Sequence, residues 1–198
     1  MKKISLILVL TAFAFVAEAQ FKRKSVTALE ENMTSVQASW ISMDADTLLD
    51  FIVSGVVNDQ LKVVLYDNQL TKKNTVFTGM KSGYVQVADW DRDNKMDLLI
   101  AGRTLINTDA LFLFKNNGDF TFTKQAQKLF DYSGTFRVAD LDNDAVPDIV
   151  VFGSSFLRVF SGSTMEKTFE LTNISPTDVS IFDMNNDGLG DIVISGST

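Results

Sequence analysis

Four times along this chain, alternating apolar residues lead into a short acidic loop that ends in an apolar run and a glycine. The best-kept copy is Val85–Gly102, VQVADWDRDNKMDLLIAG, whose acids are Asp89, Asp91, Asp93 and Asp97. FRVADLDNDAVPDIVVFG and VSIFDMNNDGLGDIVISG repeat it, and ASWISMDADTLLDFIVSG is a worn copy nearer the N-terminus. Aligned on the last acid of each loop (Asp50, Asp97, Asp148, Asp191), the copies lie 47, 51 and 43 residues apart. Glycine follows five positions later each time, at Gly55, Gly102, Gly153 and Gly196. A unit of this period cannot bury its apolar face alone, so the units must stack on one another.

The apolar period within each copy is two, the period of a strand. One strand enters the loop, and the longer apolar run that leaves it predicts a second strand buried on both faces. Between loops there is room for two more strands. In the second unit these are ALFLFK (110–115) and residues 120–124, joined across Asn116–Asp119. The first unit offers 61–66 and 75–78 across Asp67–Asn68, and the third offers 156–160 and 167–171 across Ser161–Ser163. Four antiparallel strands in about 45 residues make a propeller blade. The expected fold is therefore all-β, a β-propeller of four-stranded antiparallel blades spanning about 34–81, 82–131, 132–175 and 176–198. The fourth unit is incomplete, so about three and a half blades are expected, as the front of a longer protein. Residues 20–33 form an N-terminal segment in which 25–29 is a possible closing strand.

The loop pattern is D-x-D-x-D-x-x-x-D. Oxygens at positions 1, 3 and 5, a carbonyl at 7 and an acid at 9 suit Ca²⁺, which takes six to eight oxygen ligands in flexible geometry. An EF-hand loop opens the same way but needs an acid at position 12. Here position 12 is Ile100, Val151 or Ile194, inside β-rich runs. The plain alternative is a set of solvated turn acids, which three copies in matching phase make the weaker reading. Position 6 is where glycine best tolerates a left-handed backbone. Only Gly188 supplies it; Asn94 tolerates that conformation and Ala145 is strained by it.

VADWDRDNKMDLLIAG, VADLDNDAVPDIVVFG and FDMNNDGLGDIVISG resemble FG-GAP/VCBS-type repeats, the blades of integrin-α-like β-propellers. The resemblance covers roughly residue 34 to the C-terminus. It implies a calcium loop between the first two strands of each blade. The ligands it implies are Asp89, Asp91, Asp93, the Lys95 carbonyl and Asp97 in one loop. In the next they are Asp140, Asp142, Asp144, the Val146 carbonyl and Asp148. In the last they are Asp183, Asn185, Asp187, the Leu189 carbonyl and Asp191. The worn loop, with Ser42 at position 1 and Thr47 at position 6, is a weak set made of Ser42, Asp44, Asp46, Leu48 and Asp50.

Composition narrows the function. The chain has no cysteine and no histidine. Thiolate and imidazole chemistry, disulfides and the usual zinc ligands are therefore excluded, and any metal must be a hard one held by oxygen. A net charge of −7 argues against a nucleic-acid partner. MKKISLILVLTAFAFVAEAQ reads as a secretory signal peptide over residues 1–19: two lysines, a short apolar core and Ala17–Glu18–Ala19 before Gln20. No later run is long and apolar enough for a transmembrane helix.

The expected protein is thus secreted or held at the cell surface. It is a calcium-binding propeller serving as a binding, adhesion or scaffold module for a protein or carbohydrate ligand. The alternative is the propeller portion of an extracellular carbohydrate-active or other enzyme whose catalytic part lies elsewhere. The acids are mostly committed to the loops, and no G-x-S-x-G elbow or triad exists, so no catalytic residue is assigned. The segments 56–60 and 103–109, at the far end of the strands from the acidic loops, are candidate contact regions. The phenylalanines are expected in the core. Trp40 is expected to face inward, and Trp90, at position 2 of its loop, to be exposed.

Overall fold

The computed structural model describes residues 32–44, 46, 48–130 and 134–197. Contacts divide the chain into Met1–Asn32 and Met33–Thr198, and every described strand belongs to the second unit. The expected signal peptide and the possible closing strand at 25–29 lie outside the described residues, as do Ala45 and Thr47.

The strands are β1 (Thr34–Ile41), β2 (Asp50–Val57), β3 (Gln60–Tyr66), β4 (Lys72–Ala88), β5 (Asp97–Thr104), β6 (Asp109–Gly118), β7 (Thr121–Phe130), β8 (Thr135–Ala139), β9 (Asp148–Gly153), β10 (Phe156–Phe160), β11 (Lys167–Thr172), β12 (Ser175–Phe182) and β13 (Asp191–Ser197). Within each sheet, strands adjacent in the chain pair antiparallel. They form sheets ordered β1 to β7, β8 to β11, and β12 with β13. The third expected unit is thus a four-stranded sheet of its own. The first two are joined through β4, which pairs with β3 over residues 72–80 and with β5 over 80–88. Met80 is opposite both Leu61 and Thr104. Side chains of β3 and β5 meet in one apolar cluster, so the sheet folds over at Met80. The register of β4 against β5 shifts between Met80 and Ser82.

Turn chemistry accounts for the tight hairpins. Asn58 and Asp59 link β2 to β3, and both have positive φ, the requirement of a type I′ turn. The β6–β7 hairpin turns at Asp119–Phe120, also both at positive φ. This is later than the expected turn at 116–119, because Asn116 is held in the ladder as a buried residue facing Phe122.

Three apolar clusters lie between successive units. The first joins Ile41, Met43, Ile52, Leu61 and Leu65 to Val85, Leu98, Ile100, Phe112 and Phe114. The second joins Trp90, Leu99, Ala101 and Leu111 to Phe136, Ile149, Val151 and Phe160. The third joins Val150, Phe152, Leu157 and Val159 to Val179. Strand alternation explains the division. Leu98 and Ile100 of β5 point one way, Leu99 and Ala101 the other, so LLIA is buried on both sides. DIVISGS in β13 is written in the same style yet is largely exposed, because no described layer covers its outer face.

Glycine at the end of the second strand has a steric cause. A Cβ on Gly102 would lie 2.1 Å from the Ser82 carbonyl oxygen and 2.5 Å from the Gly83 Cα. The first and second strands approach too closely there for any side chain.

Candidate metal centre

Each acidic loop ties itself together through its own carboxylates. Position 9 opens the second strand, and its Oδ2 accepts a hydrogen bond from the position 2 N–H in all four copies. The pairs are Met43–Asp50 at 2.9 Å, Trp90–Asp97 at 3.0 Å, Leu141–Asp148 at 3.0 Å and Met184–Asp191 at 2.9 Å. Position 5 accepts from the N–H at position 7: Leu48 to Asp46, Lys95 to Asp93, Val146 to Asp144 and Leu189 to Asp187. Position 1 accepts from the N–H at position 6 where it is an acid: Asn94 to Asp89, Ala145 to Asp140 and Gly188 to Asp183. Ser42 takes that place in the worn loop, and its hydroxyl donates to the Asp44 carbonyl instead.

These turns need left-handed backbone. Positions 4 and 6 have φ of 63° and 65° at Arg92 and Asn94, 60° and 66° at Asn143 and Ala145, and 62° and 88° at Asn186 and Gly188. The strain expected at Ala145 is therefore present. At position 4 the sequence carries a left-handed signal in Asn143 and Asn186 but none in Arg92.

Among the described residues, two trios of acids converge: Asp89, Asp91 and Asp97, and Asp140, Asp142 and Asp148, each trio offering three oxygens within 4.8 Å of one another. These are positions 1, 3 and 9. The acids expected at position 5 stand outside the trios, and donors at the far end of the third strand or just past it meet their outer oxygens. Asn68 Nδ2 reaches Asp46 Oδ2 at 2.7 Å, Lys115 Nζ reaches Asp93 Oδ2 at 3.1 Å, and Ser163 Oγ reaches Asp144 Oδ2 at 3.1 Å. Lys115 also binds Asp91, and Lys95 Nζ lies 3.2 Å from Asp93. In the loop 183–191, Asn185 at position 3 leaves acids only at positions 1, 5 and 9, and Asn185 Nδ2 donates to Asp187 at 3.0 Å. The worn loop has Asp44, Asp46 and Asp50.

Three of the four position 9 acids are the deepest acids here: Asp50, Asp97 and Asp148 are 0%, 2% and 4% exposed, while Asp191 is half-buried. Burial pushes the carboxyl pKa of all three up. The N–H groups of Met43, of Asn116 and Trp90, and of Gly162 and Leu141 pull back down, and the neighbouring loop acids push up again. Asp93 goes the other way, to about 2, chiefly because Lys115 bonds to it. One inner oxygen of each trio's buried acid is anchored to the third strand: Asn116 N–H to Asp97 Oδ1 at 2.8 Å and Gly162 N–H to Asp148 Oδ1 at 2.9 Å.

Asp140 Oδ1 is buried and has no hydrogen-bond partner, and Asp50 Oδ1 shares that state. A buried lone acceptor beside two further carboxylates is unfavourable unless a cation satisfies it. The donors are all hard oxygens, so the residues present fit a divalent hard cation.

Residues 89–151, from position 1 of the second loop to just past position 9 of the third, match the family model of the FG-GAP-like repeat. That segment is similar to the FG-GAP-like repeat. No curated protein matches the chain. Among the described residues, no helix is long and apolar enough to cross a membrane.

The tryptophans correct the sequence reading. Trp90, within the FG-GAP-like segment, is 7% exposed, and its indole N–H donates to the Gly162 carbonyl at 3.3 Å. Trp40 is 43% exposed, stacked obliquely on Phe51. Position 2 of the loop points at the following unit: Met43 and Trp90 are buried, Leu141 packs against the third cluster, and Met184 is 67% exposed. Arg92 adds a second tie between neighbouring loops, its guanidinium donating to the Asp144 carbonyl.

Proposed function

We propose that the chain is a secreted, calcium-stabilised β-propeller module of FG-GAP type that serves as a binding, adhesion or scaffold element. The units act as blades, bounded near 81/82, 131/132 and 175/176, with the acidic loops on one side. The observation that carries the calcium reading is the convergence of Asp140, Asp142 and Asp148 around a buried Asp140 oxygen that nothing else satisfies. Asp148 links this loop to the third strand through Gly162, and Leu141 links it to the next unit. An ion held there supplies positive charge that offsets the carboxylates and adds stability by binding only the folded state. Asp89, Asp91 and Asp97 form the equivalent trio, Asp183, Asn185 and Asp191 a poorer one, and Ser42, Asp44 and Asp50 the poorest.

The contact face of the module is placed at the opposite ends of the strands. Seven residue steps along β5 carry the chain about 23 Å from Asp97 to Thr104. There a shallow cleft is lined by Ser82, Tyr84, Arg103, Asp109 and Thr135, with Arg103 3.9 Å from Asp109. A polar cleft with one cation, one anion and an aromatic suits a polar protein or glycan segment.

The test is thermal unfolding of the full chain with calcium and with chelator. Calcium raises the melting temperature, chelator lowers it, and Asp140→Asn with Asp148→Asn diminishes the difference. Identical melting in calcium and chelator refutes the metal reading.

A further inference from the structure

The two carboxylate trios are alike in sequence but differ in what the third strand brings to them. Asn116 and Gly162 are equivalent, since each donates its N–H to the Oδ1 of the position 9 acid. The residues before them, Lys115 and Ser161, therefore occupy the same place. In the loop 89–97 that place holds an ammonium. Lys115 Nζ bonds Asp91, a member of the trio, and lies 3.1 Å from Asp93. In the loop 140–148 the turn after the third strand brings hydroxyls to that place, Ser163 Oγ to Asp144 and Ser161 Oγ to Ser163, and the cation described on this loop, Arg92, meets the Asp144 backbone carbonyl instead of a carboxylate of the trio. That loop is left with the unpartnered Asp140 oxygen.

We propose that Lys115 is a tethered counter-cation of the loop 89–97, competing there with the divalent ion. In consequence the loop 140–148 takes calcium tightly and the loop 89–97 only weakly. This rests on the calcium reading above. The first effect of the lysine is to hold the acids of its loop together without metal, so that this part of the fold survives calcium depletion. The second is to oppose the ion, because a cation entering the trio must displace the ammonium from Asp91 or sit beside it. Lys95 does not substitute for it: its ammonium touches Asp93 alone, outside the trio.

A unit charge about 5 Å from a divalent one shifts binding by about tenfold or more even at the dielectric of water. The effect weakens as salt is added.

The test compares the full chain with its Lys115→Met variant, which keeps the aliphatic stem, and with Lys115→Arg, which keeps the charge. Calcium titration calorimetry on each gives the site affinities, with Asp140→Asn used to identify the loop 140–148. Lys115→Met tightens the weak site about tenfold or more and leaves the tight one unchanged; Lys115→Arg tightens neither. In chelator, Lys115→Met melts below wild type, and saturating calcium closes that gap. If Lys115→Met leaves the weak site as it was, or melts lower by the same amount with and without calcium, the role of Lys115 is overturned while tight binding at 140–148 stands. If wild type takes up no calcium, both readings fall together.

Discussion

Truncating Trp90 tests the packing between neighbouring units more directly than any change in the loop acids. The indole sits in the second apolar cluster, against Leu99, Ala101, Phe136, Ile149 and Phe160. An aromatic side chain buries about 150–250 Å². At about 25 cal/mol per Å² this corresponds to about 4–6 kcal/mol. A compact unfolded chain already hides part of that area, which leaves about 3–5 kcal/mol. The same range, about 3–5 kcal/mol, follows from the cost of cutting a buried aromatic to alanine.

Trp90→Ala should therefore lower the unfolding free energy by about 3–5 kcal/mol, a fall in Tm of roughly 6–20 °C. Trp90→Phe keeps most of the packing and loses the bond to Gly162, a cost of about 1–2 kcal/mol. Denaturant unfolding followed by circular dichroism reads both. Fluorescence gives an independent check: with Trp40→Phe the remaining Trp90 is shielded from acrylamide, whereas with Trp90→Phe the remaining Trp40 is quenched readily. A loss below about 1 kcal/mol for Trp90→Ala, which is the ordinary scale for surface changes, would refute the buried position.

Ala145→Gly should stabilise the protein by about 1 kcal/mol, since it relieves a left-handed alanine at φ 66°. Equilibrium denaturation measures this, and a loss of stability would contradict the assigned conformation. Glu170 pairs across the β10–β11 ladder with Arg158 at 2.6 Å and also meets Lys167. Lys167 first and Arg158 second hold its pKa below the ordinary 4.5. Its stabilising contribution is therefore present above the unfolded value of 4.5 and is lost as pH falls through the lowered folded value. Glu170→Gln should accordingly be slightly less stable than wild type at neutral pH, with the difference vanishing in acid. A difference independent of pH would rule out the ion pairs as its cause.

The local structure was readable from residue order alone. Period-two apolar runs placed the strands, and the long runs after Asp50, Asp97 and Asp148 were recognisable as strands buried on both faces. The left-handed place at Ala145 follows from its position within the loop pattern. So do the carboxylate-to-N–H bonds within each loop, which span seven residues or fewer, whereas the bonds from Asn116 to Asp97 and from Gly162 to Asp148 need the third strand. The repeated acids marked the candidate metal loops for the same reason.

What the linear order could not convey depends on pairs far apart in the chain. Trp90 is hidden because a carbonyl 72 residues later meets its indole, and its place in an acidic loop carries no sign of that. Lys115 looks like one more surface lysine until the register of β5 against β6 brings it back 24 residues to Asp91. The partners of the position 5 acids are hidden in the same way: Asn68, Lys115 and Ser163 arrive from the end of another strand. DIVISGS repeats the wording of a buried strand, yet burial needs a second layer as well as apolar residues. Sequence pattern specified the strands and the acids; strand register and the stacking of units decided which acids share a centre and which aromatic is covered.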